Sequence, residues 1–343
     1  MLSRLTHTIT AMGALALVAT AVPAQAADQD RPGEGTAVTM ARPTWDTGWF
    51  HTEIYRQLLG ELGYDVSQPM TLDNPAFYQA VGYGDVTMWV DGWFPNHNTY
   101  RPAFESGAET IGAVARGGAM EGYLVSKDAA DRLNITSLDD FKRDEVKEAF
   151  DRNGDGKADL VACPPGWGCE IVLDHHIDAY DLRDDVNLIK AGYAASMADA
   201  VAAHENGEPV LFYTWTPNWT VHELQPGKDV VWIEVPKVDL PEQLMPLADA
   251  ATQPDVEGCV SNPCRLGFPA SDIVSVVNSD FLKANPAARA LLETAEVPLA
   301  DMSAQNAKMN AGDTDIEAQA KAWIADHRDS VDGWLEKARA AAE

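Results

Sequence analysis

Residues 37–63 read AVTMARPTWDTGWFHTEIYRQLLGELG, and the fold class follows from the pattern in this segment. Its first four residues are a short, mostly apolar run that predicts a β-strand. Apolar side chains then recur at helical spacing over residues 54–62, and Gly63 is a typical helix end. The segment therefore predicts a strand followed by a helix.

The same alternation continues along the chain. Residues 69–72 and 86–90 predict strands on either side of a helix whose cap and first turn are Asn74 and Pro75. A strand over residues 122–126 precedes a capping-box pattern at residues 137–140 and a helix through residue 150. Strands that alternate with helices predict an α/β protein with a mostly parallel sheet, flanked by helices on both faces.

The second half of the chain repeats this pattern. It predicts strands at residues 210–215, 230–235 and 273–277, a helix at 196–206, and one long final helix at 316–341. We expect the strand near residue 273 and the helices after it to return to the first part of the molecule.

The N-terminus has the features of a secretory signal. Arg4 is followed by an apolar stretch over residues 9–22, which is too short to span a bilayer, and by Ala24-Gln25-Ala26. We therefore predict a signal peptide at residues 1–26 and a periplasmic mature protein; the alternative is a membrane anchor.

The mature chain is longer than one hydrophobic core usually organises. We predict one lobe from residues 27–122 plus 266–343 and a second lobe from residues 123–265, joined by short crossing strands. Such a hinge would let the lobes close around a ligand.

The chain is strongly acidic, with 53 Asp and Glu against 25 Lys and Arg and a formal net charge of -28. This charge would repel a polyanion, so we expect no nucleic-acid partner. The excess indicates solubility or, alternatively, attraction of a cationic ligand.

The four cysteines form two close pairs, Cys163 with Cys169 and Cys259 with Cys264. In an exported protein such pairs predict disulfides. A zinc or redox site is the alternative, although neither spacing is C-x-x-C.

Three tryptophans stand at strand ends or in turns, where side chains can project into a cleft. Trp93 follows the strand at 86–90, Trp167 lies in the turn between Cys163 and Cys169, and Trp215 ends the strand at 210–215. Ligands bind at such strand ends in open α/β sheets. A tryptophan taken alone is more often a core residue than a ligand-binding one.

Four segments carry a family resemblance: FDRNGDGKAD (150–159), PGWGCE (165–170), FYTWTP (212–217) and PGKDVVW (226–232). With them, nearly all of the mature chain resembles the substrate-binding component of glycine betaine/proline betaine ABC transporters. The resemblance implies a two-lobed type II periplasmic-binding fold, a monomer without a required cofactor, and a cognate ABC permease as partner. It also implies a receptor for a quaternary-ammonium osmolyte, not an enzyme.

The resemblance also implies the site residues. Trp93, Trp167 and Trp215 would form an aromatic box, while His97 and the backbone amides of Gly168 and Cys169 would bind the ligand carboxylate. The chemistry agrees, because a quaternary ammonium offers no hydrogen bond and is attracted to aromatic faces. The two amides would begin a predicted helix at 170–180, where the helix dipole favours an anion.

Other features leave the exact ligand open. Trp45 and Trp49 depart from the family pattern and lie in the turn after the first strand, where either could form part of the box. Choline, proline betaine, dimethylsulfoniopropionate and ectoine remain alternative ligands. An enzyme is the alternative class, but the sequence shows none of the common catalytic motifs.

Residues 151–159 resemble a calcium-binding loop. Oxygen-bearing side chains stand at loop positions one, three, five and nine, and a glycine stands at position six. The pattern predicts a structural calcium; an Asx-rich turn without an ion is the alternative. The candidate loop residues are Asp151, Asn153, Asp155, Lys157 and Asp159.

Overall fold

The computed structural model describes residues 30–343. The predicted signal peptide, residues 1–26, lies outside the described residues. Within the described part of the chain, no helix is both long enough and apolar enough to cross a membrane.

The first part of the chain alternates short strands with helices, as predicted. Its 3-10 helices are Asp46–Gly48 and Asn96–Tyr100. Its strands and α-helices are β1 (Ala37–Val38), β2 (Ala41–Pro43), α1 (Trp49–Glu61), β3 (Asp65–Val66), β4 (Met70–Leu72), α2 (Asn74–Tyr83), β5 (Met88–Phe94) and α3 (Arg101–Phe104).

Helix α2 shows how local sequence sets an element's ends. Asp73, not the predicted Asn74, is its N-cap, and the Asp73 carboxylate accepts a hydrogen bond from the Ala76 amide at 3.0 Å. Pro75 stands in the first turn, where its missing N–H costs nothing. Gly84 ends the helix at φ 84°, a conformation that glycine adopts readily.

The middle of the chain begins with one long strand. A 3-10 helix covers Leu138–Lys142. The other elements are β6 (Ala108–Ser126), α4 (Lys127–Leu133), α5 (Asp144–Phe150), β7 (Ala158–Val161), α6 (Gly168–Ala179), β8 (Val186–Ile189), α7 (Tyr193–Glu205), β9 (Leu211–Thr216), α8 (Thr220–Glu223) and β10 (Val230–Ile233).

The capping box predicted at Ser137 is confirmed. The Ser137 side chain accepts a hydrogen bond from a backbone amide of the first turn, and the Asp140 side chain accepts one from the Ser137 amide. It starts a 3-10 helix and not a continuous α-helix. Arg143 has an extended backbone, with φ -77° and ψ 131°, and separates that turn from α5.

The last part of the chain is mainly helical. A 3-10 helix covers Met245–Ala251. The other elements are β11 (Thr252–Gln253), β12 (Cys264–Arg265), β13 (Ser271–Asn278), α9 (Ser279–Ala284), α10 (Pro286–Thr294), α11 (Leu299–Asn310), α12 (Ile316–Asp326) and α13 (Arg328–Ala340).

The long final helix predicted at residues 316–341 is two helices, α12 and α13. They are separated at His327, whose φ of -108° and ψ of 24° leave the helical region. The His327 ring stacks on Trp323 with ring centroids 4.2 Å apart. This contact packs the residue at the break against the last turn of α12.

The central sheet is mixed. Its strand order is β5-β13-β6-β9-β7-β8, and β10 also pairs with β6. β7 pairs in parallel with β8 and β9, whereas β13 and β6 run antiparallel to each of their neighbours in the sheet. Helix–strand alternation predicts the parallel pairs, but it carries no sign of the two long antiparallel strands.

Strand β6 changes partners along its length. Residues 108–119 pair with β13, and residues 120–126 pair with β9 and β10. β5 runs parallel to β6, whereas β9 runs antiparallel to β6. The C-terminal ends of β5 and β9 therefore approach residues 115–120 of β6 from opposite directions. The predicted lobe boundaries at residues 122 and 265 remain a prediction.

Candidate functional site

A cavity lies where the ends of β5 and β9 approach each other. Six of its lining residues are those predicted for the ligand site: Trp93, His97, Trp167, Gly168, Cys169 and Trp215. Trp45, the additional candidate, also lines it, and so do three residues that the prediction did not include: Asn96, Glu121 and Tyr213.

Four indole rings come from four separate segments. Trp93 lies at the end of β5 and Trp215 near the end of β9, while Trp45 follows β2 and Trp167 precedes α6. Each is at most 8% exposed. Strand ends and turns thus supply the aromatic surface, as their sequence positions predict.

Two pairs of these rings meet at steep angles. The Trp45 and Trp167 centroids are 5.2 Å apart with an interplanar angle of 70°, and those of Trp167 and Trp215 are 5.5 Å apart at 77°. Perpendicular neighbours form the corners of a box, so different ring faces can contact different sides of one small group.

Asp91 holds two of the rings. Its carboxylate accepts hydrogen bonds from the indole N–H groups of Trp45, at 2.6 Å, and Trp93, at 3.0 Å. Asp91 is 1% exposed, and His51 Nε2 lies 3.1 Å from it. One buried carboxylate therefore fixes two indole planes and places a negative charge behind them.

The other two rings are held by threonines of the segment after β2. Trp167 Nε1 donates to Thr44 Oγ1 at 2.8 Å, and Trp215 Nε1 donates to Thr47 Oγ1 at 3.3 Å. Since the protein satisfies all four indole N–H groups, a bound group would meet ring faces and not polar edges.

The start of α6 forms the polar end of the cavity. Trp167 is the N-cap of this helix, with φ -85° and ψ 152°, and it provides no side-chain cap hydrogen bond. Amides in the first turn of a helix lack intrahelical acceptors and attract anions. The Gly168 and Cys169 amides occupy these positions, so this end of the cavity suits a carboxylate.

His97 packs directly against Gly168. A Cβ at position 168 would lie 2.7 Å from His97 Cδ2 and 3.0 Å from Nε2, so only glycine fits there. The Trp93 amide donates to His97 Nδ1 at 3.1 Å. Because an amide can only donate, Nδ1 is the acceptor and the neutral ring carries its proton on Nε2.

Burial keeps the His97 ring neutral. The imidazole is 4% exposed, and desolvation lowers the pKa of His97 to about 3, against a small opposing effect of Asp91. At neutral pH the ring is therefore not a cation, and its Nε2 also lies 3.2 Å from the Asn74 side-chain amide.

Both predicted disulfides are present. Cys163 is bonded to Cys169 and Cys259 to Cys264, and neither pair is available for zinc or redox chemistry as free thiols. The first disulfide closes the turn that carries Trp167 and the first amides of α6.

Trp49 does not line the cavity. Its indole N–H donates to the Pro43 carbonyl at 2.9 Å, and the Arg42 guanidinium lies 3.9 Å from the centroid of its ring. Trp49 sits at the first position of α1, which turns its side chain away from Trp45.

The predicted calcium loop has its carboxylates directed at its own backbone. Asp151 accepts from the amides of Gly154, Asp155 and Gly156, at 2.7 to 3.1 Å. Asp159 accepts from two backbone amides and from the Asn153 and Asn187 side chains. This is the geometry of an Asx-rich turn. Among residues 30–343, no group of three or more His, Cys, Asp or Glu side chains is placed to hold a metal ion.

Three cavity residues escaped the sequence prediction. Tyr213 precedes Trp215 by two positions on the same strand, so period-two alternation could have indicated a shared face. Asn96 is adjacent to His97. Glu121 lies on β6 opposite Trp215, a pairing with no local signal because it depends on the register of β6 and β9.

Comparisons with known proteins agree on one family. A family model described as the substrate binding domain of an ABC-type glycine betaine transport system matches residues 36–326. The chain is 39% identical over 336 residues to the glycine betaine-binding periplasmic protein OusX of Dickeya dadantii (strain 3937), covering 97% of this chain and 98% of the relative. It is 38% identical over 327 residues to the glycine betaine/proline betaine-binding periplasmic protein of Salmonella typhimurium (strain LT2), covering 94% and 96%.

Solved structures match at the level of the fold. Lactococcal OpuAC in its closed form with glycine betaine superimposes with a TM-score of 0.67 at 22% identity, covering 88% of this chain and 99% of the other. The glycine betaine, L-proline ABC transporter binding protein of Borrelia burgdorferi gives 0.69 at 15% identity, covering 90% and 100%. The predicted two-lobed type II periplasmic-binding fold is confirmed.

Proposed function

Because the chain belongs to the family of substrate-binding domains of ABC-type glycine betaine transport systems, we propose that it is the extracytoplasmic receptor that binds glycine betaine or a related onium osmolyte and delivers it to a membrane permease. The family consists of solute-binding components and not of enzymes, so the enzyme alternative is excluded. The relatives are named as periplasmic proteins, which supports the periplasm as the location of this one.

The observation that carries the proposal is the pairing of two chemistries in one cavity. Indole faces of Trp45, Trp93, Trp167 and Trp215 suit a group that is cationic but has no proton to donate. The amides at the start of α6 and His97 Nε2 suit a carboxylate. Glycine betaine carries these two groups one methylene apart.

The roles follow from that pairing. Trp93, Trp167 and Trp215 contact the quaternary ammonium, and Trp45 supplies a fourth wall. At about 2 kcal/mol for each desolvated ring, three rings provide much of the roughly 8 kcal/mol that micromolar binding requires. His97, Gly168 and Cys169 bind the carboxylate and fix the ligand's orientation.

Closure of the lobes would complete the site. We assign residues 27–122 and 266–343 to one lobe and residues 123–265 to the other. The hydrogen bonds from Trp167 to Thr44 and from Trp215 to Thr47 support this, since each joins one proposed lobe to the other. We propose that the chain binds its ligand as a monomer and presents the closed form to the permease.

Related osmolytes differ in how well they use both ends of the site. Choline has the onium group but no carboxylate, and ectoine has a carboxylate but no quaternary ammonium. Proline betaine and dimethylsulfoniopropionate carry both features. We therefore expect glycine betaine, proline betaine and dimethylsulfoniopropionate to bind more tightly than choline and ectoine in a tryptophan fluorescence titration.

Two substitutions test the box. Trp167→Ala and Trp215→Ala each remove one wall, so each weakens glycine betaine binding by about tenfold or more in isothermal titration calorimetry. Trp49→Ala is the matched control, because that indole lies outside the cavity, and its affinity stays at the unsubstituted level. Normal binding by both cavity variants would contradict the proposal.

A further inference from the structure

Glu121 is a buried carboxylate on the wall of the cavity. It lies on β6, is 5% exposed, and pairs in register with Trp215 on β9. Directly opposed residues of neighbouring antiparallel strands point to the same face of the sheet. Glu121 therefore faces the cavity beside one of the aromatic walls.

Both oxygens of this carboxylate accept hydrogen bonds. The Tyr213 hydroxyl donates to Oε1 and the Asn96 side-chain amide donates to Oε2. The Asn96 amide also donates to the Pro269 carbonyl at 3.1 Å, which holds it in place. These two donors suit the ionised form.

A counter-charge is missing from the surroundings. The residues that line the cavity include neither lysine nor arginine, and the one histidine, His97, is neutral. Burial without an opposite charge disfavours the ionised form, and it raises the pKa of Glu121 to about 7 despite the two hydrogen bonds. A cationic group entering the cavity would supply the positive charge that the lining residues do not provide.

We propose that Glu121 is the counter-charge of the ligand's onium group and makes the receptor prefer ligands with an onium group to ligands of the same shape that have an uncharged group at that position. This inference rests on the proposed function. The carboxylate end of the ligand is assigned to the α6 amides and His97, so the remaining, indole-lined part of the cavity that includes Glu121 receives the positive end.

The proposal predicts a pH dependence with a definite sign. Glu121 attracts the onium group in its ionised form but not in its protonated form. The affinity for glycine betaine should therefore rise as the pH is raised through neutrality. The neighbouring groups do not titrate there: burial raises the pKa values of Tyr213 and Tyr123 well above their usual range, and His97 stays neutral. Asp91 is the other buried carboxylate near the box: it accepts from the indole N–H groups of Trp45 and Trp93, and His51 Nε2 lies 3.1 Å from it.

The test compares two ligands that differ only at one atom. Glycine betaine and 3,3-dimethylbutanoate share size, shape and carboxylate, but the second has a neutral carbon in place of the quaternary nitrogen. Both are titrated calorimetrically into the unsubstituted protein and into Glu121→Gln, at pH 6 and at pH 8. Glutamine keeps the shape and an acceptor oxygen, and thermal unfolding checks that the variant is folded.

For the unsubstituted protein, we expect glycine betaine to bind about tenfold more tightly at pH 8 than at pH 6, and 3,3-dimethylbutanoate to show no such gain. Glu121→Gln should abolish the pH dependence, weaken glycine betaine binding at pH 8 by about tenfold or more, and leave binding of 3,3-dimethylbutanoate unweakened.

The outcomes separate this inference from the proposed function. If the unsubstituted protein binds glycine betaine at neither pH, the proposed function fails. If it binds with no pH dependence, or if the dependence persists in Glu121→Gln, the role of Glu121 is overturned while the proposed function stands. If the variant does not fold, the two ligands in the unsubstituted protein still decide the matter.

Discussion

At the scale of single residues, the site depends on side chains that orient other side chains. Asp91 contacts no predicted ligand atom but holds the Trp45 and Trp93 rings through their N–H groups. The Trp93 amide in turn fixes the tautomer of His97. Ligand-facing groups in this cavity are thus positioned by hydrogen bonds that point away from the ligand.

Gly168 tests this positioning at one atom. Gly168→Ala would place a methyl group 2.7 Å from His97 Cδ2, so the imidazole must move away from the ligand carboxylate. We expect glycine betaine affinity to fall by about tenfold or more, measured by calorimetry. The matched control is Gly192→Ala. Gly192 is the N-cap of α7, as Gly168 is the first residue of α6, and its new Cβ would have nothing within 4 Å. Equal affinities of the two variants would contradict this account of the carboxylate site.

At the scale of elements, the turn before α6 is the most specialised segment. Its disulfide joins cysteines that are six positions apart in the sequence, and this turn carries Trp167 and the first amides of the helix. Restricting this turn before binding lowers the entropy lost when the ligand arrives. The same bond also stabilises the fold, and a comparison of the two disulfides separates these effects.

Removing the first disulfide by Cys163→Ala with Cys169→Ala should lower both stability and affinity. The second pair, Cys259→Ala with Cys264→Ala, closes a loop of similar length away from the cavity, so it should lower stability alone. We expect a stability loss of about 2 kcal/mol for each pair in urea unfolding, and a several-fold affinity loss only for the first. If the second pair weakened binding as much as the first, the pre-ordering of the turn would not be supported.

The loop over residues 151–159 gives a second prediction at this scale. Backbone amides donate to the Asp151 carboxylate and lower its pKa, and Asp159 is satisfied in the same way. A calcium ion would have to displace those donors. We expect the melting temperature to be unchanged by a chelator or by added calcium. A rise in the melting temperature with calcium would restore the calcium-loop interpretation.

Prediction from sequence succeeded where the signal is local. Helical periodicity, the Ser137 capping box and the short cysteine spacings each lie within a few residues. It did not find the breaks at Arg143 and His327, because the backbone angles of these residues leave the helical region while the apolar periodicity continues through them. Glu121 could not be found either, since its place in the cavity depends on strand register across almost a hundred residues of chain.

At the scale of the whole molecule, the burial of titratable side chains makes the stability of the folded state depend on pH. His176 is fully buried on α6, and its Nδ1 lies 2.8 Å from the Tyr123 hydroxyl. Desolvation lowers the pKa of His176 to about 3. Protons therefore bind the unfolded chain more readily than the folded one between this value and the ordinary histidine pKa, so acid favours unfolding.

His176→Gln tests this linkage outside the ligand site. The unsubstituted protein should lose stability as the pH falls from 7 to 5, and this histidine accounts for about 2 kcal/mol of that loss. The variant should show a correspondingly shallower dependence in urea unfolding at the two pH values, even if its stability at pH 7 is lower. Identical slopes would mean that His176 is not held neutral by the fold.

We propose that four indoles surround the onium group while the start of α6 holds the carboxylate, and a crystal structure of the protein with glycine betaine would test this arrangement. We expect the trimethylammonium group between the faces of Trp93, Trp167 and Trp215, and the carboxylate on the Gly168 and Cys169 amides and His97 Nε2. A ligand bound in the reverse orientation, or outside this cavity, would contradict it.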